Sequence, residues 1–427
     1  MNNRYQIPNE LAAMKECRVC GKKGLFPILS LGMQYLSNFI DDSDQKLYAA
    51  PIELVRCNRE NGGCGLLQLK HTVPPDLLYR KFWYKSGTNQ TMKDALADIV
   101  VRAEKLVRLQ AGDIVLDIGA NDGTLLRSYN RRKLKLVGFE PATNLVDEAR
   151  TGTTKIFNCF FNHAAFEKEF HNQKAKIITS IAMFYDLDKP NEFVGDIVKT
   201  LHRDGIWIVQ MNYLATMLEN NAFDNIVHEH LEYYSLGSLN ILLERHDLAV
   251  FDVELNDING GSIRTYIKHK NCKLYPITRR VKKTKLFEGK RGLVDHKTYQ
   301  KFAKRIENLK EKTYNFVKAE VKKGRTVYVY GASTRGNTLL QYYNLDHRLI
   351  KAAADRNPVK WGRRTAGTYI PIISEEKARK ERPEYFLVLP WYFIDEFISR
   401  EKEFLESGGK FIVPLPDFKI IQNRKKA

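Results

Sequence analysis

The sequence predicts an α/β protein. It has a doubly wound sheet, a small cysteine-bearing module before it and a smaller α/β domain after it. Three observations predict this. Four of the six cysteines, Cys17, Cys20, Cys57 and Cys64, fall in the first 64 of 427 residues. From Asp113, and again from about Arg325, short apolar runs alternate with helical patterns, as strands of a parallel sheet alternate with covering helices. The first of these runs, Val115-Leu116-Asp117-Ile118-Gly119, leads directly into a glycine-bearing turn.

Residues 11–75 are turn-rich and read as a small zinc-ribbon-like module of short strands and knuckles. The main α/β domain follows, at 76–272. It opens on an aromatic patch, Phe82-Trp83-Tyr84. A helix is predicted over 92–109, where Leu96, Val100, Ala103 and Val107 recur at three- and four-residue spacing. Strands are predicted at 114–118, 134–139, 175–181 and 205–211, with helices at 143–150 and 190–201 between them. Residues 273–323 read as a charged, mostly helical connector. The last domain, 324–427, has predicted strands at 327–330, 350–354, 385–389 and, as the last, 410–413.

The composition is that of a folded chain, with 43% apolar and 11% aromatic residues. No run of about 18 apolar residues is present, so no membrane helix is expected. The first ten residues lack an apolar signal core, and a cytoplasmic protein is expected. The net charge of +19 permits anionic partners without requiring them. Much of it lies in 268–323, including Arg279-Arg280 and Lys282-Lys283, where a solvated helical face or an anion-binding surface would both account for it. A nucleic-acid-binding zinc ribbon fits less well. The basic residues do not concentrate in the cysteine module, and no aromatic RNA-binding motif occurs.

The strand-turn at Gly119 carries the cofactor argument. Glycine lets the backbone pass close to a ligand. Asn121-Asp122-Gly123-Thr124 then enters a helix whose first N–H groups lack partners and can hold a carboxylate or phosphate. Glu140 ends the next strand, where an acid accepts hydrogen bonds from ribose hydroxyls. A nicotinamide dinucleotide prefers G-x-G-x-x-G; the spacing Gly119-x-x-x-Gly123 suits S-adenosylmethionine better. A dehydrogenase reading of the Gly331-Ala332-Ser333 turn ranks low for the same reason. The expected cofactor-binding set is Asp117, Gly119, Asn121, Asp122, Gly123, Thr124, Glu140, Asn144 and Ser180.

Cys17-x-x-Cys20 forms a knuckle suited to tetrahedral zinc. Cys57 and Cys64 are more widely spaced, with Asn61-Gly62-Gly63 between them to let the loop fold back. Four thiolate ligands leave no open position, so the expected zinc is structural. His228-Glu229-His230 is the densest titratable cluster. The two histidines are two apart, which rules out the H-E-x-x-H zinc helix. Acid–base work fits better, with a histidine removing a proton from carbon beside a carbonyl and Glu229 orienting it or holding a substrate hydroxyl. The turn Asn259-Gly260-Gly261-Ser262-Ile263-Arg264 is expected to line the same cleft.

In order along the chain, these motifs resemble the deoxysugar C-methyltransferases, which methylate a nucleotide-linked 4-keto-sugar at carbon. The resemblance rests on Cys17-x-x-Cys20, the run from Leu31 through Ser37 to Phe39, Cys64-Gly65-Leu66-Leu67-Gln68-Leu69, Tyr84-x-Ser86-Gly87 and Leu116 to Leu125. It continues through Glu140-Pro141, His228-Glu229-His230 and Gly260-Gly261-Ser262-x-Arg264. It ends with Tyr330-Gly331-Ala332, Asp355-x-Asn357-x-x-Lys360-x-Gly362 and Leu389-Pro390-Trp391.

The resemblance implies a class I methyltransferase sheet with an N-terminal zinc module and a Rossmann-like C-terminal domain. It implies S-adenosylmethionine and structural zinc as cofactors. It implies a nucleotide-sugar substrate between the domains, methylated at C3 through an enolate, with no nucleic acid beyond the nucleotide handle and no membrane partner. His230 is the implied base and Glu229 the implied support of the substrate, with His228, Tyr185 and Asp186 also in the catalytic set. Tyr84, Ser86, Asn259, Ser262, Arg264 and Lys360 are the implied substrate contacts, the last two cations serving the diphosphate. Two positions depart from the family. Val227 stands where tyrosine is usual, and Tyr185-Asp186 stands where a histidine is usual; a neighbouring tyrosine, Tyr185 or Tyr233, is the expected replacement hydroxyl. An O- or N-methyltransferase shares the cofactor site and is the nearest alternative, and both monomer and dimer remain open.

Overall fold

The computed structural model describes residues 5–423 apart from 37, 42–46, 81–82 and 130–132. Ser37 and Phe82, quoted above, lie outside the described residues.

The central sheet has seven strands. They are β1 (Ile114–Ile118), β2 (Lys135–Phe139), β3 (Lys155–Phe157), β4 (Ala175–Ile181), β5 (Leu201–Asn212), β6 (Leu248–Asn256) and β7 (Ser262–His269). Their order across the sheet is β3-β2-β1-β4-β5-β7-β6. The strands β1 to β5 run parallel to one another. All five residues of β1 are buried, as a central strand covered on both faces requires. The wholly parallel sheet expected from the alternation is corrected at one edge, where β7 runs antiparallel to both β5 and β6. The 257–261 turn is too short for a parallel return, which takes a crossover of about a dozen residues or more. Before the sheet, the predicted first helix forms over Gln90–Leu106 and buries Leu96, Ile99, Val100 and Ala103.

The cysteine module departs from the short strands expected. Its core is a hairpin of two eleven-residue strands, Leu25–Tyr35 and Leu47–Cys57, extended by Leu67–Leu69. The next strand of that sheet, Glu232–Tyr233, comes from the central domain and pairs antiparallel with Leu67–Leu69.

The C-terminal sheet runs Ile372–Ser374, Ala353–Asp355, Val327–Tyr330, Tyr385–Val388, Lys410–Val413, Lys419–Gln422. Its first five strands are parallel. The 410–413 strand is not the last, because Lys419–Gln422 folds back antiparallel along its edge. The connector is more than a solvated linker. Its long helix, His296–Lys322, buries Tyr299, Phe302, Ile306, Leu309, Thr313 and Val317 along one stripe, with Glu320 buried at its end, and leaves most of its charges on the other face.

The domains share one apolar core. A single buried cluster joins Leu54 and Leu67 of the cysteine module, Trp207 of the central sheet, Tyr299 of the connector and Leu387 of the C-terminal sheet. The first and last domains also bond directly. Phe39 and Ile40 pair antiparallel with Thr365 and Arg364. Tyr35 N–H donates to Gln341 Oε1 at 2.7 Å, and Asn337 Nδ2 donates to Asn38 O at 2.9 Å. Phe39 is 1% exposed, edge-on to Trp83 and beneath the Lys360 ammonium. Phe39→Ala is therefore expected to cost about 3–5 kcal/mol of stability. Chemical denaturation measures this, and limited proteolysis near this junction is expected to accelerate.

Candidate active site and candidate metal centre

The carboxyl ends of β1, β2 and β4 open onto a cavity of about 630 Å³. At the end of β1, Asp117 is buried and accepts a hydrogen bond from Thr179 Oγ1 at 2.5 Å. Burial raises its pKa to about 7. Gly119 has φ +75°, and a Cβ there would lie 3.1 Å from Met183 Cγ on the cavity wall. Glu140 ends β2 and accepts from Asn121 N at 2.7 Å and Ala142 N at 2.8 Å. Burial raises its pKa to about 6. Each of its oxygens retains acceptor capacity for a ligand hydroxyl. Asn121 ties this loop to the aromatic segment: its Oδ1 accepts from Ser86 N at 2.9 Å and its Nδ2 donates to Tyr84 O at 3.1 Å. Tyr84, Ser86, Asp117, Gly119, Asn121 and Glu140 all line the cavity.

The far wall is built by the β4 end and the 225–230 loop. Tyr185, Asp186, Glu229, His230 and Asn259 line it. His230 Nδ1 lies 2.8 Å from the Asn225 carbonyl oxygen. A carbonyl only accepts, so Nδ1 carries the proton and Nε2 carries the lone pair. Burial and the nearby Arg335 charge lower the His230 pKa to about 3, which keeps the ring neutral. Tyr185 packs edge-on against it, ring centres 4.4 Å apart. Burial raises Glu229 to about 7; burial and the Glu229 charge raise Asp186 well above the usual carboxylate range. One oxygen of each, Asp186 Oδ1 and Glu229 Oε2, is buried without a protein partner.

Several expected site residues stand elsewhere. His228 is 2% exposed, with Nε2 3.0 Å from Ala50 O of the cysteine module. The turn at 228–229 sends it away from the cavity. Asp122 accepts from Gly87 N, Thr124 N and Thr124 Oγ1, so its carboxylate is spent on the turn before the short 124–127 helix and does not line the cavity. Gly123 takes φ +80° behind this turn. Ser180 points to the opposite face from Thr179 and accepts from Trp207 Nε1 at 3.1 Å. Asn144 lies outside the cavity lining. Ser262 Oγ donates to Ile258 O and closes its own turn.

Neither expected diphosphate cation reaches the cavity. Arg264 sits directly across from Gln210 and Glu254 in the sheet, and bonds Gln210, Glu254 and Asp98. Lys360 Nζ donates to Ala332 O and Asp355.

Three residues lining the cavity escaped the sequence reading: Tyr79, Arg335 and Tyr392. Tyr79 OH donates to Glu229 O at 2.8 Å. Arg335, near the start of the Thr334–Tyr342 helix, lines the cavity and binds Asp224 Oδ2 through Nη2 at 2.6 Å and Nε at 3.1 Å. The signal for Arg335 was present, since a cation follows directly on the Gly331-Ala332-Ser333 turn.

The metal centre is a separate cluster. The sulfurs of Cys17, Cys20, Cys57 and Cys64 all lie within 4.8 Å of one another, with Cys17–Cys64 at 3.4 Å and Cys20–Cys57 at 3.5 Å. Four thiolates about 2.3 Å from a central zinc stand about 3.8 Å apart, so the donor set and spacing fit a closed tetrahedral site. Gly63 makes this possible: a Cβ there would lie 2.5 Å from Cys57 Sγ and 2.3 Å from Asn58 O.

Two outcomes follow for binding. Cofactor hydroxyls and positive charge favour ionised Asp117 and Glu140, both raised in the ligand-free protein. Binding of S-adenosylhomocysteine at about pH 6.5 should therefore release protons, and affinity should fall as pH drops below their pKa values. Calorimetry in two buffers of different ionisation heat measures the release, and Asp117→Asn should reduce it. Metal analysis should find one zinc per chain; chelation or Cys64→Ser should lower the unfolding midpoint, because zinc binding is linked to folding of the module.

Comparison with known proteins bears on the whole chain. Residues 17–79 match a zinc binding domain family, 89–253 a methyltransferase domain family and 257–416 the C-methyltransferase C-terminal domain family. The chain is 33% identical to C-methyltransferase NovU of Streptomyces niveus over 412 residues, covering 95% of this chain and 96% of that one. Among solved structures it is similar to the plantazolicin methyltransferase BamL in complex with a triazolic desmethylPZN analog and SAH. The identity is 12%, covering 43% of this chain and 87% of that one, with a TM-score of 0.34. It is also similar to an S-adenosylmethionine-dependent methyltransferase from Clostridium acetobutylicum, at 13% identity, 43% and 93% coverage and a TM-score of 0.32. No helix among the described residues is long and apolar enough to cross a membrane. With nearly its whole length aligned to NovU and all three of its segments matched, this chain belongs to the C-methyltransferase family and is an S-adenosylmethionine-dependent methyltransferase with a zinc-binding domain.

Proposed function

We propose that the chain methylates a carbon beside the keto group of a nucleotide-linked 4-keto-deoxysugar, at C3, and does so in the cytoplasm. One observation carries this reading: His230 is neutral, donates through Nδ1 to Asn225 O, and presents Nε2 to a cavity shared with the cofactor loop. A carbon nucleophile needs a base of this kind, because carbon must lose a proton before it can attack a methyl group. The keto group acidifies the adjacent C–H. The His230 Nε2 lone pair takes that proton, and the electron pair moves onto the carbonyl oxygen as an enolate. S-adenosylmethionine supplies an electrophilic methyl on a sulfonium, and the enolate carbon takes it while the sulfur keeps the electron pair.

The remaining residues position the sugar. Burial and the Glu229 charge raise Asp186 well above the usual carboxylate range, which favours its protonated form, able to donate a hydrogen bond as a histidine in its place would. Glu229 and Asp186 each keep a buried oxygen for a substrate hydroxyl. Tyr185 and Tyr79 stay as neutral phenols through burial. Val227 lines the cavity with an aliphatic side chain, so the hydroxyl usual there is supplied by neighbours such as Tyr79.

The test uses a panel of nucleotide 4-keto-deoxysugars with mass detection of product and exchange. The wild-type protein should exchange the C3 hydrogen with deuterated solvent without cofactor, and should add one methyl with it. His230→Ala should lower exchange about 100-fold or more. Methylation at oxygen or nitrogen without carbon exchange would establish the alternative class and overturn this reading.

A further inference from the structure

We infer that Arg335, supplied by the C-terminal domain, is the cation that holds the substrate's carbonyl oxygen as it becomes an enolate. This rests on the carbon-acid reading above and adds the electrophilic partner that it lacks. A base alone leaves the developing oxyanion unmatched. A fixed donor aimed at that oxygen contributes a large share of such catalysis.

The cavity offers few candidates. Among its described lining residues the lysine and arginine side chains are Lys189 and Arg335. The Lys189 side chain is 68% exposed and pairs with Glu192 at the rim. Arg335 is 13% exposed. Its guanidinium is held on three sides. Nη2 and Nε donate to Asp224 Oδ2, Nη1 donates to Asn259 O at 3.1 Å, and the plane lies over the Tyr392 ring at 4.9 Å. Guanidinium has five N–H donors, and these contacts use three. One N–H on each of Nη1 and Nη2 is left to face a ligand.

Its position relative to the base supports the assignment. The Arg335 charge adds to burial in lowering the His230 pKa and offsets part of the burial-driven rise at Tyr185, and it lines the same cavity, so it stands within electrostatic reach of the base. Asp224 and the His230 anchor, Asn225, are adjacent in the chain, so one loop orients both base and cation. The balance is simple: the C–H bond breaks, the proton goes to His230 Nε2, the electron pair goes to oxygen, and the two free N–H groups of Arg335 donate to that oxygen. Methyl transfer then returns the electron pair to carbon and restores the neutral carbonyl.

The experiment compares Arg335→Gln and Arg335→Lys with the wild-type full chain. Hydrogen exchange is read in deuterated solvent at saturating keto-sugar without cofactor, alongside methyl-transfer kcat and KM, S-adenosylhomocysteine affinity and melting temperature. Arg335→Gln should lower exchange and kcat about 100-fold at unchanged S-adenosylhomocysteine affinity, with part of the loss recovered in Arg335→Lys. Exchange at the wild-type rate in Arg335→Gln overturns the inference. A rise in KM alone also overturns it and places the guanidinium on the diphosphate. Parallel loss of folding and cofactor affinity in both variants makes Arg335 a structural pin. Absence of exchange in the wild type itself defeats the carbon-acid reading and this inference with it.

Discussion

The antiparallel pairing of Glu232–Tyr233 with Leu67–Leu69 decides where His230 stands. Leu69 N–H donates to Leu231 O at 2.8 Å, immediately after the histidine, and His228 binds Ala50 O just before it. The loop is thus held at both ends by the cysteine module rather than by the sheet it follows. Gathering of the four cysteines holds the Cys57–Leu69 segment in place, so the metal site acts on the chemistry through backbone hydrogen bonds, without entering the cavity.

Burial of the far wall shifts the pKa values of its titratable groups. A buried imidazole with its Nδ1 proton on a carbonyl is held neutral, and burial raises the Glu229 and Asp186 carboxyls above their usual range. The Asp224–Arg335 pair ties the C-terminal domain to the loop. Desolvating such a pair is costly, and additional hydrogen bonds offset that cost. Here Arg335 also bonds Asn259 O, and Trp391 Nε1 approaches Asp224 Oδ2 at 3.4 Å. The Gly119 loop, His230 and Arg335, which line one cavity, therefore come from two domains, while the third fixes the loop that carries His230.

Much of the cofactor side was legible in the chain. The β1 strand, the Gly119 turn and Glu140 all express short-range rules: a buried run, a positive φ and an acid at a strand end. Reading failed where a side chain had two possible destinations. Thr179 and Ser180 are neighbours on β4, and alternation alone does not say which faces Asp117. Arg264 looked like a free cation beside a glycine turn, but its cross-strand neighbours Gln210 and Glu254 consume it. Asp122 looked like part of a ligand cradle, and instead is spent on the turn before the helix that follows it.

The sequence by itself determined four of the seven central strands, the knuckle cysteines, the cofactor turn and the presence of a His-Glu-His cluster. Each depends on residues within a few positions of one another. Tertiary structure decided that His230 rather than His228 faces the cavity, that Tyr79 and Arg335 join it, and that Lys360 does not. Those outcomes are set by partners such as Ala50, Asn225, Asp224 and Asp355. The partners of His228, Tyr79 and Arg335 lie more than a hundred residues away along the chain. A side chain's destination is fixed by which polar groups its own fold leaves unsatisfied, and no local pattern records that.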